Sequence, residues 1–338
     1  MAGRDDWLIG GFDSAVNGAT VESEISSVIG DRELSDLTQA IIVIHRGKLV
    51  AEEYAEGVDR GTALISWSMA KSITHALVGI AQADGLIDVA AAAPIRQWQG
   101  DDRRAITLQN LLEMRSGLSW VEDYVDSNSS DVIAMLFGSG AQDNAKYAIE
   151  RPLASEPGSE WIYSSGTTNI ITRVLGNALG DVGGSENIAR FVQRRLFDPL
   201  GMTSATIRCD DAGTFVGSSY VFATARDFAR FGLLYLSDGL CGGDRVLPPG
   251  WVAHARHQTV FDTETNLGYG AHWWTLPGEE DSLMASGYEG QYIVVVPRRE
   301  LVIVRLGKTV SEKRPYVLAS LRRIIEAFPF GAHPMLRI

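Results

Sequence analysis

A serine hydroxyl becomes a good nucleophile when a neighbouring group takes its proton, and Ser68-Met69-Ala70-Lys71 supplies such a pair. The pair opens a helical pattern in which Met69, Ile73, Leu77 and Ile80 recur at three- and four-residue steps, until Asp84-Gly85 ends the run. Positions i and i+3 share a helix face, so the Ser68 hydroxyl and the Lys71 amine can meet. A buried lysine with a lowered pKa can serve as the base. The start of a helix adds backbone N–H groups and a positive dipole, which favour the negative charge that develops during attack. The same four letters also describe a helix-start serine followed by a solvated lysine. Against that plainer reading stand the apolar neighbours Ala70 and Ile73, and no other serine in the chain has a lysine at this offset.

Two further segments could complete the chemistry. Tyr163-Ser164-Ser165-Gly166 follows the turn Pro157-Gly158-Ser159. A phenol facing the Ser/Lys pair could relay a proton to a leaving group; a core tyrosine followed by a turn is the alternative. Ser286-Gly287-Tyr288-Glu289-Gly290-Gln291 precedes an apolar hairpin, and such a glycine-flanked strand edge can lend a backbone N–H to an oxyanion. Read plainly, it is a loop entering a strand. Trp161 and Trp273-Trp274 could wall an acyl pocket or belong to the core. The acidic segment Glu122-Asp123-Tyr124-Val125-Asp126 could form a lid or a solvated loop. The histidines form no HExxH or HxHxD pattern, so neither a metal nor another cofactor is expected. There is also no GxSxG elbow, Walker A sequence or GxGxxG after a strand.

The elements around these residues fall into two groups. Gln39 to Gly57 reads as a hairpin whose apolar run turns at Arg46-Gly47-Lys48. Tyr292-Ile293-Val294-Val295-Val296 and Leu301-Val302-Ile303-Val304 form a second hairpin. Strands apolar at successive positions are buried on both faces, which calls for helical cover on both. A helix over Ser311 to Ala327 supplies one cover and Val21 to Leu37 another. Between them the periodicity is mainly helical, with segments at Leu108 to Arg115, Asp131 to Gly138, Thr168 to Leu179 and Ile188 to Phe197. The expected fold is α/β of the α+β type: an antiparallel sheet flanked by N- and C-terminal helices, with an inserted all-helical region. The boundaries place residues 1–66 and 215–338 in a discontinuous α/β domain and 67–214 in the helical one. A cleft belongs at their junction.

Composition sets the outer limits. With 338 residues and a net charge of -12, the chain lacks the clustered Lys and Arg that nucleic-acid binding relies on. No run reaches the length of a membrane span, the first residues lack a signal-peptide pattern, and Cys209 and Cys241 form no CxxC pair. A cytoplasmic location, with a small-molecule substrate and neither nucleic acid nor membrane as partner, is the expectation. Oligomeric state is left open.

Taken in order, these motifs resemble those of the serine β-lactamase and penicillin-binding-protein superfamily. The branch most similar contains class C-like esterases, D-aminopeptidase-like enzymes and 6-aminohexanoate-dimer hydrolase. Stretches such as IHRGKLVAEEY, SWSMAKSITHALVGIAQADGLIDV, LQNLLEMRSGLSW, PGSEWIYSSGTTNI, FATARDFARFGLLYL and GYEGQYIVVVP carry the likeness over nearly the whole chain. The resemblance implies Ser68 as nucleophile, Lys71 as its partner base and Tyr163 as the motif tyrosine. It also implies an oxyanion hole from the N–H groups of Ser68 and Tyr288, and a pocket near Ser165, Trp161, Tyr124, Gly287 and Glu289.

The sequence departs from the pattern twice. Ser165 stands where β-lactamases carry Asn, and Ser286-Gly287-Tyr288 replaces the KTG strand motif, with Lys308-Thr309-Val310 a decoy beyond the hairpin. Loss of that lysine disfavours efficient β-lactam hydrolysis. The expected activity is hydrolysis of a small ester or amide through an acyl-enzyme on Ser68. The rival readings are a transacylase using the same intermediate and a non-catalytic acyl-binding or sensor module. Whether Lys71 or Tyr163 is the general base stays open at this level.

Overall fold

The computed structural model describes residues 7–126, 129–181 and 183–331. The leader expectation reaches into residues 1–6, which lie outside the described residues. Both apolar runs pair as strands of one sheet. Its members are β1 (Leu37–His45), β2 (Lys48–Tyr54), β3 (Val260–Asp262), β4 (Leu267–Tyr269), β5 (Trp274–Leu276), β6 (Glu279–Gly287), β7 (Gln291–Val296) and β8 (Leu301–Lys308). The order is β2-β1-β8-β7-β6-β5-β4-β3, antiparallel throughout. The first strand and the last therefore pair one strand in from the β2 edge, with Ile42 opposite Val304, and Val295 of β7 lies opposite Val302. Arg46 and Gly47 turn the first hairpin with φ of 52° and 72°. Such a positive pair matches the strand twist, and Gly accepts it without strain.

Successive strand residues feed different cores. Ala40, Ile42 and Ile44 join the larger one, while Ile41 and Val43 join the smaller. Five longer helices frame the sheet: α1 (Gly18–Gly30), α2 (Met69–Ala83), α3 (Ser165–Ala178), α4 (Ala225–Leu236) and α5 (Arg314–Glu326). The expected pair of terminal covers needs correction. Val21, Ile25 and Val28 of α1 share the smaller core with Val317, Leu321, Ile324 and Ile325 of α5, so both terminal helices lie on one face. The other face is covered by α4 and α2. Gly232 of α4 comes so close that an added Cβ would lie 2.6 Å from Val302. The expected Val21 to Leu37 helix also stops at Gly30, because Leu37 pairs with Lys308 as a strand residue.

Within the insertion the expected helices fall at Leu108–Leu112, Asp131–Phe137, α3 and Glu186–Val192, the last continuing to Phe197, and a further helix spans Asn144–Ile149. A small sheet of Leu64–Ile65, Val221–Ala223 and Thr206–Ile207 braces the approach to α2. Ser66 N–H donates to the Val221 carbonyl at 2.8 Å, which fixes the chain two residues before Ser68. Among the described residues, no helix is long and apolar enough to cross a membrane.

Candidate active site

Helix α2 runs through the middle of the molecule, and every residue from Met69 to Ala81 is buried. That placement decides the state of Lys71, whose side chain has no route to solvent. Ser68 occupies the N-cap position without a side-chain capping bond, which leaves its hydroxyl for Lys71. Trp67 before Ser68 takes φ of 44°, a left-handed backbone that costs a non-glycine residue about 1 kcal/mol. Three contacts hold Trp67 there: its ring meets Tyr288 edge-on at 5.8 Å and Tyr220 at 6.2 Å, and its indole N–H donates to Glu289 at 3.3 Å.

The Lys71 amine donates to Ser68 Oγ at 2.9 Å, to Ser165 Oγ at 2.9 Å and to the Ser218 carbonyl at 3.2 Å. Burial brings its pKa down to about 8, against a smaller upward pull from the nearby Glu122 carboxylate. The same amine lies 4.9 Å from the centre of the Tyr163 ring. The Ser68 hydroxyl lies near enough to the Tyr163 and Tyr124 phenols to offset part of the upward shift of each. Burial, reinforced by Glu122, pushes the Tyr163 phenol well above its ordinary value, so it holds its proton at neutral pH.

Tyr163 is positioned by the segment before α3. Ile162 N–H donates to the Met114 carbonyl at 2.9 Å, and Ser164 caps α3 by accepting from Thr167 N–H. Its ring stacks on Trp274 at 5.6 Å, and Trp161 packs on both. The two adjacent tryptophans thus part company: Trp274 joins this aromatic group, whereas Trp273 is fully buried beside Phe231 and Tyr235.

The Gly287–Tyr288 edge of the sheet reaches the chain just before Ser68. A Cβ on Gly287 would lie 2.4 Å from the Ser66 carbonyl oxygen, so only glycine permits the approach. Arg305, fully buried, secures the following turn by donating to the Glu289 and Gly290 carbonyls at 3.2 and 2.8 Å. Lys308 ends β8 opposite Leu37, and its side chain is exposed.

Ser68, Trp67, Tyr124, Tyr288, Ser219, Val132, Ile133, Leu136 and Phe137 line a cavity of about 250 Å³. Its wall is mostly hydrocarbon and carries no charged side chain. Larger clefts occur elsewhere, one of about 510 Å³ around Arg173 and Asp143 and one of about 660 Å³ near Arg104 and Pro157. Neither contains the serine–lysine pair. The acidic segment is neither a plain lid nor a solvated loop. Val125 is exposed, but Tyr124 stacks on Tyr288 at 4.9 Å and Glu122 turns inward. Glu122 is the site residue that sequence reasoning did not single out as chemical. Only its place in an acidic run marked it, and nothing local says that its carboxylate points at Ser165.

The family model for Beta-lactamase matches residues 32–325, and the chain belongs to this family. A 6-aminohexanoate-dimer hydrolase of Paenarthrobacter ureafaciens is 25% identical over 290 residues, which span 80% of this chain and 72% of that protein. Among solved structures, a family VIII carboxylesterase superposes with a TM-score of 0.69 at 16% identity, covering 94% of this chain and 98% of that one. A D-alanine carboxypeptidase from Burkholderia cenocepacia gives 0.65 at 18% identity over 92% and 99%. The fold is β-lactamase-like, and the named relatives are hydrolases.

Proposed function

We propose that this chain is a serine hydrolase that cuts a small ester or amide through an acyl-enzyme on Ser68. The observation that carries the reading is the buried Lys71 amine, 2.9 Å from Ser68 Oγ and with a pKa near 8. Part of it is neutral at physiological pH, as a general base must be. Lys71 takes the Ser68 proton as Oγ bonds to the substrate carbonyl carbon. The resulting oxyanion is held by the N–H groups of Ser68 and Tyr288. Tyr163, kept protonated by its surroundings, donates to the departing alkoxide or amine and is reprotonated from Lys71. Water then releases the acid. The hydrocarbon-lined cavity beside Ser68 favours an uncharged apolar group on one side of the scissile bond, and the curated relative's name supports an amide within range.

Incubation with a fluorophosphonate, followed by peptide mapping, tests the assignment. Labelling at Ser68, sustained turnover of p-nitrophenyl acyl esters and loss of both in Ser68→Ala are expected. Labelling elsewhere, or full activity in Ser68→Ala, overturns it.

A further inference from the structure

Resting on that reading, the geometry points to Glu122 as a positioning residue: it locks the Ser165 hydroxyl as a hydrogen-bond acceptor, so that the lone pair of neutral Lys71 can point only at Ser68. The argument is a count of donors and acceptors. Four groups converge on the Glu122 carboxylate. Oε1 accepts from Ser165 Oγ at 2.5 Å and Tyr124 Oη at 2.6 Å; Oε2 accepts from Ser165 N at 2.8 Å and Trp120 Nε1 at 2.6 Å. A carboxylate has no proton to offer, so Ser165 must spend its hydroxyl proton on Glu122. Towards Lys71 the same oxygen can then only accept. The Ser218 carbonyl can also only accept. A neutral amine has two N–H bonds and one lone pair. Both N–H bonds are claimed by Ser165 Oγ and the Ser218 carbonyl, and the lone pair is left for the third neighbour, Ser68 Oγ.

This gives a physical reason for the serine at the third position of the tyrosine motif. An asparagine carbonyl is an acceptor by nature. A serine hydroxyl can equally donate, and a Ser165 proton turned onto the Lys71 lone pair would quench the base. Glu122 removes that option.

Glu122→Gln probes the lock with little change of shape. Trp120 Nε1–H and Ser165 N–H cannot become acceptors, so the oxygen of the introduced amide must face them. Its NH₂ then faces the two hydroxyls, which can rotate. Ser165 accepts from that NH₂ and turns its own proton towards Lys71. The expected kcat/KM falls roughly 10- to 100-fold. Ser165→Ala alone lowers activity by removing an acceptor, but added to Glu122→Gln it restores activity, because the quenching proton is gone. Such a reversal of sign within one double-mutant cycle is outside the reach of a merely structural role.

The pH profile supplies a second readout. The titratable groups around Lys71 are Glu122, Tyr163 and His272, with Tyr124 bonded to Glu122 and Arg314 acting on both phenols. In Glu122→Gln the acid limb of kcat/KM moves to lower pH while the plateau drops, so more amine is neutral yet less of it works. Thermal melts confirm that each variant is folded. Wild-type protein unlabelled at Ser68 by a fluorophosphonate sinks the nucleophile reading itself. Wild type labelled at Ser68, with Glu122→Gln labelling equally fast or Ser165→Ala deepening its defect, overturns the lock alone.

Discussion

At the scale of single residues, the protein sets two titratable groups in opposite directions by the same means. Burial disfavours charge, so the Lys71 amine falls to about 8 and the Tyr163 phenol rises. The amine is thereby partly neutral near pH 7, while the phenol keeps its proton. The activity should follow the neutral amine, so kcat/KM is expected to climb with pH and level off above about 8. A profile flat from pH 6 to 9 would contradict Lys71 as base. Lys71→Arg keeps the charge but not the titration, since a guanidinium stays protonated; turnover should fall at least 10³-fold. Tyr163→Phe separates the acid step. Alkyl esters and amides need a proton on the leaving group and should lose 10²- to 10⁴-fold, whereas p-nitrophenyl esters, whose leaving group departs as an anion, should lose far less. Equal losses on both substrate types would argue against Tyr163 as the donor.

The elements matter because three of them must converge on one site. The start of α2 brings Ser68 and Lys71, the start of α3 brings Ser165, and the turn after β6 brings Tyr288. The narrowest joint is Gly287, where the strand abuts the Ser66 carbonyl. Its φ of -119° is ordinary, so the constraint is contact rather than backbone strain. Gly287→Ala should push the strand edge off the helix start and reduce kcat/KM by 10-fold or more, with a change in Tm of only a few degrees. Kinetics and a melt on the same sample check it. A variant with full activity would show that the edge is not needed at that spacing.

Over the whole molecule, a two-faced sheet and a central helix leave little room for water, and this shows in the histidines. His272 lies between the Leu112 carbonyl (2.7 Å) and Thr168 (3.0 Å); His75 bridges Tyr235 and His254 at 2.8 and 3.1 Å. Burial lowers His272 to about 3 and His254 to about 4. The unfolded chain binds protons below about 6.5, whereas the folded protein does so only near pH 4 and 3. Stability from these groups is therefore complete above pH 6.5 and is lost as pH falls towards 4. The loss at pH 5 is about 2 kcal/mol for each histidine. Urea unfolding at pH 8 and pH 5 checks the sign, and His272→Gln should flatten part of the slope.

Local pattern and spacing carried a good part of this. Continuous apolar, β-branched runs mark β1, β2, β7 and β8, helical periodicity marks α2, and the Ser68–Lys71 offset proposes their meeting, because each depends on neighbours in the chain. Short strands such as β3 to β5 escaped notice, since three residues contain too few periods to read. Which face each terminal helix covers is likewise absent from its own residues; α1 and α5 fill one core beside β1 and β8, strands from opposite ends of the sequence that pair with each other. The inward turn of Glu122 onto Ser165 arises only when a loop and a helix start distant in sequence close on one another. Hydrogen-bond direction is a property of that closed ring of donors and acceptors, and no stretch of chain contains the ring.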